Sequence, residues 1–190
     1  MLFHHALVPC GRKLTSFSLA FCRKICVCQI IFVPLQRNSK ERVMLQVGDK
    51  MPSFAAADET GKMVTDKDLI GKKTVIYFYP KDSTPGCTAE ACNIRDNYYA
   101  FLAQGYQIFG VSRDSQASHI KFKEKYALPF PLLSDPTTEM LQAFGAWGEK
   151  KNYGKVTMGT LRKTFVFNSN GILERIIEKV DTKNHAAQIL

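Results

Sequence analysis

The stretch KTVIYFYPKDSTPGCTAEAC, residues 73–92, decides the fold. It opens with KTVIYFY, a continuous apolar run of strand length, as expected of a central strand that is covered on both faces. The run ends at a turn rich in Pro, Gly and Ser, and Cys87 follows where a helix begins. A helix N-terminus offers unpaired backbone N–H groups and the positive end of the helix dipole, and both stabilise a thiolate. Cys87 is therefore the first candidate for a reactive residue.

Further strand and helix patterns flank this stretch. Turns are predicted at 48–52 and 58–62. C-terminal to the cysteine loop, the patterns predict a helix at 88–104 ended by Gly105, a strand at 106–112, a helix at 115–126, an extended piece at 129–133, a helix at 136–144, and strands at 161–167 and 172–180. The last two strands flank the turn NSNG and form a hairpin. This order predicts an α/β fold with a central mixed sheet flanked by helices.

The charge and the cysteines of this 190-residue chain are unevenly distributed. The formal net charge is +9, but residues 1–43 hold seven Lys or Arg and one acid, which leaves nineteen basic and sixteen acidic residues for 44–190. Residues 44–190 thus carry little net charge. They contain no pattern of interleaved basic and aromatic residues that would indicate nucleic-acid binding. Four of the six cysteines lie in the first 43 residues. The remaining pair fits a reversible catalytic disulfide in a reducing compartment better than a secreted disulfide framework.

Residues 1–43 are predicted to be a disordered N-terminal extension, and residues 44–190 are predicted to form one domain. Arg23 and Lys24 interrupt the apolar part of this extension, so a membrane-spanning helix is not expected. The segment is either upstream sequence preceding a start at Met44 or, since it is basic and nearly free of acids, an organelle transit peptide. The first alternative places the protein in the cytoplasm. The spacing of its cysteines, Cys22, Cys26 and Cys28 with Cys10 further away, matches no common zinc pattern, and no metal site is expected.

The loop and a distant arginine carry a family resemblance. Pro80, Thr84 and Cys87 form the signature Pro-x3-Thr-x2-Cys, and Arg162 lies in GTLRKTF, residues 159–165. From about Met44 to the C-terminus the chain resembles the peroxiredoxins, and GCTAEAC at 86–92 and WGEKK at 147–151 are similar to the peroxiredoxin Q or bacterioferritin comigratory protein branch. The resemblance implies a thioredoxin-like fold and a thiol peroxidase.

Each site residue has a physical task in such a reaction. Cys87 attacks a peroxide oxygen and becomes a sulfenic acid. The permanently charged Arg162 stabilises the thiolate and the developing charge on the leaving oxygen. Thr84 offers a hydroxyl that can accept from peroxide and donate to sulfur, and Pro80 shields the site from water. Glu90 resembles the family position that holds the arginine in place.

Taken singly, these residues also have plain structural interpretations. Thr84 could be a helix cap, Pro80 could end a strand, and Glu90 could be an acid that complements the helix dipole. An arginine before a strand, such as Arg162, is usually solvated. The joint pattern, rather than any one residue, favours catalysis.

Cys92 is the candidate resolving residue. If Cys87 and Cys92 share a regular helix, their Cα atoms lie ~8.7 Å apart. A disulfide tolerates about 6.8 Å at most, so the segment would have to unwind before the bond could form. The resemblance implies that Cys92 resolves the sulfenic acid within one chain and that thioredoxin or a similar dithiol reduces the disulfide. The alternative is a cysteine that packs as a small apolar side chain.

The leading hypothesis is therefore a thiol peroxidase that reduces hydrogen peroxide and alkyl hydroperoxides without a metal, haem or flavin cofactor, and the resemblance implies a monomer. A dithiol–disulfide oxidoreductase is a second possibility, although that chemistry normally uses Cys-x-x-Cys. A third is a peroxide sensor or holdase-like binding protein.

Two other predictions concern side chains outside the motifs. His119 and His185 are expected to be solvated or capping histidines, and Trp147 and Tyr153 are expected to pack a loop over the site.

Overall fold

The computed structural model describes residues 44–152 and 155–190. The extension at 1–43, with its four cysteines, lies outside the described residues, as does Tyr153. Within the described ranges, no helix has the length and apolar character needed to cross a bilayer.

A seven-stranded mixed sheet and a separate hairpin contain all the described strands. In chain order the strands are β1 (Ala55–Asp58), β2 (Met63–Thr65), β3 (Lys73–Phe78), β4 (Tyr106–Ser112), β5 (Leu132–Ser134), β6 (Trp147–Asn152), β7 (Lys155–Thr160), β8 (Lys163–Phe167) and β9 (Leu173–Ile177). The spatial order of the sheet is β2-β1-β5-β4-β3-β8-β9, and β6 pairs with β7. Strands β3, β4 and β5 run parallel, and the other pairs are antiparallel. The predicted mixed sheet is confirmed.

Helices flank the sheet. They are α1 (Pro85–Asp96), α2 (Tyr98–Ala103), α3 (Gln116–Tyr126), α4 (Glu139–Ala143) and α5 (His185–Ile189), and one 3-10 turn spans Asp66–Leu69. Helices α1, α3 and α5 contribute to one apolar core, and α4 contributes to a second. The helices thus cover the sheet in the layered arrangement of an α/β domain.

Strand β3 is the central strand that the apolar run predicts. It pairs with β4 on one side and β8 on the other. Val75 and Tyr77 enter the core beneath α1, whereas Ile76 and Phe78 enter the core beneath α4, because successive strand residues point to opposite faces. A continuous apolar run is required because both faces are buried.

The predicted helix at 88–104 is wrong in its bounds and is divided into two. Helix α1 begins at Pro85, since proline at the first helical position sacrifices no intrahelical hydrogen bond. It ends at Asp96, and α2 begins at Tyr98. At the break, the side-chain amide of Asn97 donates to the carbonyl oxygen of Asn93 at 2.8 Å. Such local bonds from asparagine compete with the helical backbone pattern.

Gly110 in β4 has no space for a side chain, because neighbouring residues approach its backbone closely. A Cβ atom there would lie 2.7 Å from Leu132 Cδ2 and 2.7 Å from the Tyr77 hydroxyl oxygen. Tyr77 is fully buried, so its ring has no free space to enter. We expect Gly110→Ala to lower the free energy of unfolding by about 1–3 kcal/mol through overpacking. Urea denaturation measures this, with Gly159→Ala as the control because its nearest contact, Lys150 Cδ, is at 3.5 Å. Equal unfolding midpoints for the two variants would contradict the prediction.

Candidate active site

Cys87 is the third residue of α1, so it lies in the first helical turn. The first helical hydrogen bond runs from the Thr88 amide to the Thr84 carbonyl at 2.8 Å. The amides of Gly86 and Cys87 therefore have no acceptor within the helix. The thiol is only 2% exposed, so it meets the helix N-terminus in a nearly dry environment. The positive end of the helix dipole therefore acts on the sulfur with little screening by water.

Arg162 lies between β7 and β8, far from Cys87 in sequence, and its side chain contacts the thiol. Its Nη2 donates to Cys87 Sγ at 3.2 Å. Its Nη1 donates to Oε2 of Glu90 in a second, closer contact. One guanidinium fork thus contacts both sulfur and carboxylate, which the single ammonium of a lysine cannot reproduce. The structure brings together three residues that the sequence singled out.

Glu90 is fully buried, one helical turn after Cys87. Residues three apart on a helix lie on one face, so the carboxylate and the thiol point toward the same arginine. A buried carboxylate is costly unless it is paired, and Arg162 supplies that pair. The helix-dipole interpretation of Glu90 does not account for this contact.

Thr84 and Pro80 lie in the loop before α1, and both are half-buried. Thr84 is the residue before the first helical position, but its side chain makes no capping bond. Its hydroxyl donates to the carbonyl oxygen of Lys81 at 3.1 Å rather than to sulfur. The plain capping interpretation of the Thr84 side chain is therefore wrong, and its oxygen lone pairs face no hydrogen-bond donor among the described residues.

Asp82 anchors this loop, and sequence reasoning missed it. The buried carboxylate accepts from Tyr79 Oη at 2.8 Å, Ser118 Oγ at 2.7 Å and His119 Nδ1 at 2.9 Å. Burial raises the pKa of Asp82, but the hydrogen bonds, that of His119 foremost, outweigh it and hold the pKa below its usual value. The loop is thereby tied to α3. The sequence signal that could have identified Asp82 was an acidic residue placed between a predicted strand and the helix that carries Cys87.

The prediction that both histidines are solvated or capping is wrong. His119 and His185 are each fully buried. His119 pairs with Asp82, and His185 Nδ1 lies 3.2 Å from Glu90 Oε1. Their partners are distant in sequence, so spacing along one helix could not reveal them.

Cys92 shares α1 with Cys87, as the unwinding argument assumed, and both thiols are free. Cys92 is half-buried. Within this helix the separation of five residues remains too long for a disulfide. The reduced structure therefore cannot close the bond without losing helical turns between the two cysteines.

The β6–β7 hairpin carries the WGEKK stretch, and sequence reasoning did not predict its strands. Trp147 packs under the guanidinium of Arg113, whose central carbon is 5.0 Å from the ring centroid. Lys150 is half-buried, and burial lowers its pKa although the charge of Cys87 opposes that shift. The hairpin thus brings a second cation toward the thiol. Alternating polar and apolar residues at 155–160 were a weak strand signal.

The site chemistry is not that of a dithiol oxidoreductase. A thioredoxin-type centre needs a second cysteine three residues after the first. That position is occupied here by Glu90, and an arginine faces the sulfur. A thiol that faces a fixed cation is suited to nucleophilic chemistry in which negative charge develops beside the sulfur, as the resemblance to the thiol peroxidases implies.

Comparison with known proteins identifies the family. Residues 47–176 match the AhpC/TSA family, and the chain belongs to that family. Peroxiredoxin Bcp of Bacillus subtilis is 45% identical over 146 residues, which cover 77% of this chain and 93% of that protein. Peroxiredoxin Bcp of Escherichia coli is 38% identical, covering 77% and 94% of the two chains.

Solved structures agree. A structure of the Xanthomonas campestris bacterioferritin comigratory protein, studied for its alkyl peroxide reduction activity, has a TM-score of 0.67 and 38% identity, covering 71% of this chain and 86% of that chain. A cysteine-to-serine mutant of peroxiredoxin Q from Xylella fastidiosa has a TM-score of 0.71 and 29% identity, covering 77% and 93%. The predicted thioredoxin-like fold and the peroxidase function are confirmed.

Proposed function

We propose that Cys87 is the peroxidatic nucleophile of this thiol peroxidase. The bridge from Cys87 Sγ through Arg162 to buried Glu90 carries the proposal. The Cys87 thiolate attacks one peroxide oxygen, the O–O bond breaks, and a sulfenic acid forms. The leaving oxygen takes a proton and departs as water or as an alcohol. Arg162 stabilises negative charge first on sulfur and then on the leaving oxygen.

Three further residues support this step. The oxygen of Thr84 can accept a hydrogen bond from the peroxide, since its own proton is donated to Lys81. Pro80, half-buried in the same loop, limits the access of water. Glu90 holds Arg162 so that its second arm points at sulfur.

Cys92 completes the cycle in this proposal. Its thiolate attacks the Cys87 sulfenic sulfur, a disulfide forms and water leaves. Helix α1 unwinds between the two cysteines to allow this. A dithiol reductant of thioredoxin type then reduces the disulfide by thiol–disulfide exchange, and α1 refolds.

The wider setting is also part of the proposal. An intramolecular disulfide needs no second chain, so the functional unit is a monomer. The domain at 44–190 acts in the cytoplasm, or in an organelle if residues 1–43 are a transit peptide. The intact mass of the protein from its own cells, which gives the mature N-terminus, distinguishes the two.

A coupled assay tests the reaction. Purified protein, thioredoxin, thioredoxin reductase and NADPH are mixed with hydrogen peroxide or an alkyl hydroperoxide. We expect sustained NADPH oxidation that depends on every component. Formation of one disulfide per chain without further turnover would instead favour the peroxide sensor.

Replacing Arg162 tests the charge stabilisation. Arg162→Lys keeps the charge but cannot contact Cys87 and Glu90 with two arms. We expect the rate constant for sulfenic acid formation, measured by stopped flow, to fall about 10²–10³-fold. Arg175→Lys is the control, because exposed Arg175 on β9 contacts only the carbonyl oxygen of Gln188 among its described partners. A similar rate for the two variants would remove Arg162 from the reaction.

A further inference from the structure

The second oxygen of the Glu90 carboxylate faces a buried imidazole. Oε2 is taken by Arg162, whereas Oε1 lies 3.2 Å from His185 Nδ1. Neither Oε1 nor Nδ1 makes a hydrogen bond in the described part of the chain, although both residues are fully buried and the two atoms lie within hydrogen-bond distance of each other. Buried polar atoms are rarely left without a partner, so these two require an explanation.

The protonation of His185 follows from its other contact. Its Nε2 lies 2.8 Å from the Thr164 hydroxyl, which has no other partner within the described ranges. If Nε2 carried the proton, the lone pair of Nδ1 would face the lone pairs of the Glu90 carboxylate, which is repulsive. If Nδ1 carries it, Nε2 accepts from Thr164 and Nδ1 has a proton to offer to Glu90 Oε1, so a small turn of either side chain gives both buried atoms a partner.

We infer that His185 is a positioning residue for the peroxidase reaction, holding Glu90 by an Nδ1–H bond so that Glu90 in turn aims Arg162 at Cys87. This inference rests on the proposed function of Cys87 and Arg162. A neutral imidazole suits the role, because a cation would compete with Arg162 for the carboxylate. Burial, and then the charge of Arg162, lower the pKa of His185 to about 4.

The position of His185 is itself fixed by contacts between α1 and α5. Asn93 accepts from the Ala186 amide at 2.7 Å and donates to the Lys183 carbonyl at 2.8 Å. The ring of Tyr77 meets the imidazole edge to face, with 6.0 Å between the ring centroids. The imidazole is therefore placed by the backbone of α5 and by a buried ring, and not by Glu90 alone.

The first test needs only the wild-type protein. Two-bond ¹H–¹⁵N correlation spectra of the imidazole distinguish the two neutral tautomers. In the reduced protein we expect His185 to be protonated on Nδ1 and to stay neutral down to about pH 5. An Nε2–H tautomer, or a charged ring at neutral pH, overturns the inference whether or not Cys87 reacts with peroxide.

The second test uses two neutral amides that replace different ring atoms. In His185→Asn the amide nitrogen takes the place of Nδ1 and can still donate to Glu90. In His185→Gln it takes the place of Nε2 and reaches Thr164 instead. We expect sulfenic acid formation to slow by about 10–100-fold in His185→Gln but only a few-fold in His185→Asn.

Alkylation of Cys87 by iodoacetamide gives a readout without peroxide, since it follows the thiolate that Arg162 stabilises. It should slow in His185→Gln and recover in His185→Asn. Equal losses in both variants, or a lower melting temperature with unchanged rates, would show that His185 is only a packing residue. Because alkylation and tautomer are measured without peroxide, failure of this inference is distinguishable from failure of the peroxidase assignment to Cys87.

Discussion

Replacement of Cys87 by serine is expected to reduce peroxide consumption to the uncatalysed rate. A serine hydroxyl is a weak nucleophile unless a neighbouring base takes its proton. In the described chain the two buried histidines are engaged elsewhere, His119 with Asp82 and His185 with Glu90 and Thr164. Arg162 stabilises an anion but cannot accept a proton. A serine at position 87 would therefore preserve the geometry of the site but could not attack the peroxide.

The measurement is peroxide consumption in the thioredoxin-coupled assay and in a single-turnover format. Thermal unfolding checks that Cys87→Ser is folded. Cys92→Ser is the matched control in the single-turnover format, since it makes the same atomic change on the same helix and leaves the nucleophile intact. Turnover above background by Cys87→Ser would mean that another group attacks peroxide.

Cys92→Ser is expected to stop thioredoxin-dependent turnover while the first reaction with peroxide proceeds. Cys87 can still form its sulfenic acid because Arg162 and Glu90 are untouched. Without a resolving thiol the sulfenic acid persists and is open to further oxidation to sulfinic acid. Mass spectrometry should therefore find one added oxygen on Cys87, followed by a second at excess peroxide.

Hydrogen exchange adds a structural readout to this variant. In the wild-type protein, oxidation should raise amide exchange between Cys87 and Cys92, because the disulfide requires that segment to unwind. In Cys92→Ser the same amides should stay protected after one equivalent of peroxide. Full turnover by Cys92→Ser, or unchanged protection in the oxidised wild type, would remove Cys92 from the cycle.

The sequence predicts well the elements whose pattern comes from burial alone. Strand β3 is covered on both faces, and β4 was predicted with its observed bounds at 106–112. Ends were less accurate, as at α4, which spans Glu139–Ala143 rather than 136–144. The break at Asn97 depends on a side-chain bond within the helix, which apolar spacing does not record. The β6–β7 hairpin was missed because few of its residues are apolar.

Within the site, prediction succeeded where chemistry is local and failed where it depends on tertiary contacts. Cys87 and Cys92 can be recognised because they lie in one helical stretch. Arg162 can be recognised because the family resemblance includes a second motif far from the cysteines. The roles of Asp82 and the two histidines depend on contacts between residues far apart in the chain, which the sequence does not show. His185 lies near the C-terminus, and nothing in its own neighbourhood indicates a carboxylate on α1.

The Asn93 contacts to α5 have a consequence for how the redox cycle responds to temperature. Asn93 follows Cys92 directly, so its two bonds hold the part of α1 that need not unwind. Ile94, fully buried, can then remain in the core while Cys87 and Cys92 meet. The heat capacity change of a conformational transition scales with the apolar surface that it exposes. A transition confined to little more than one helical turn has a small heat capacity change, so its enthalpy should stay nearly constant from cold to warm conditions.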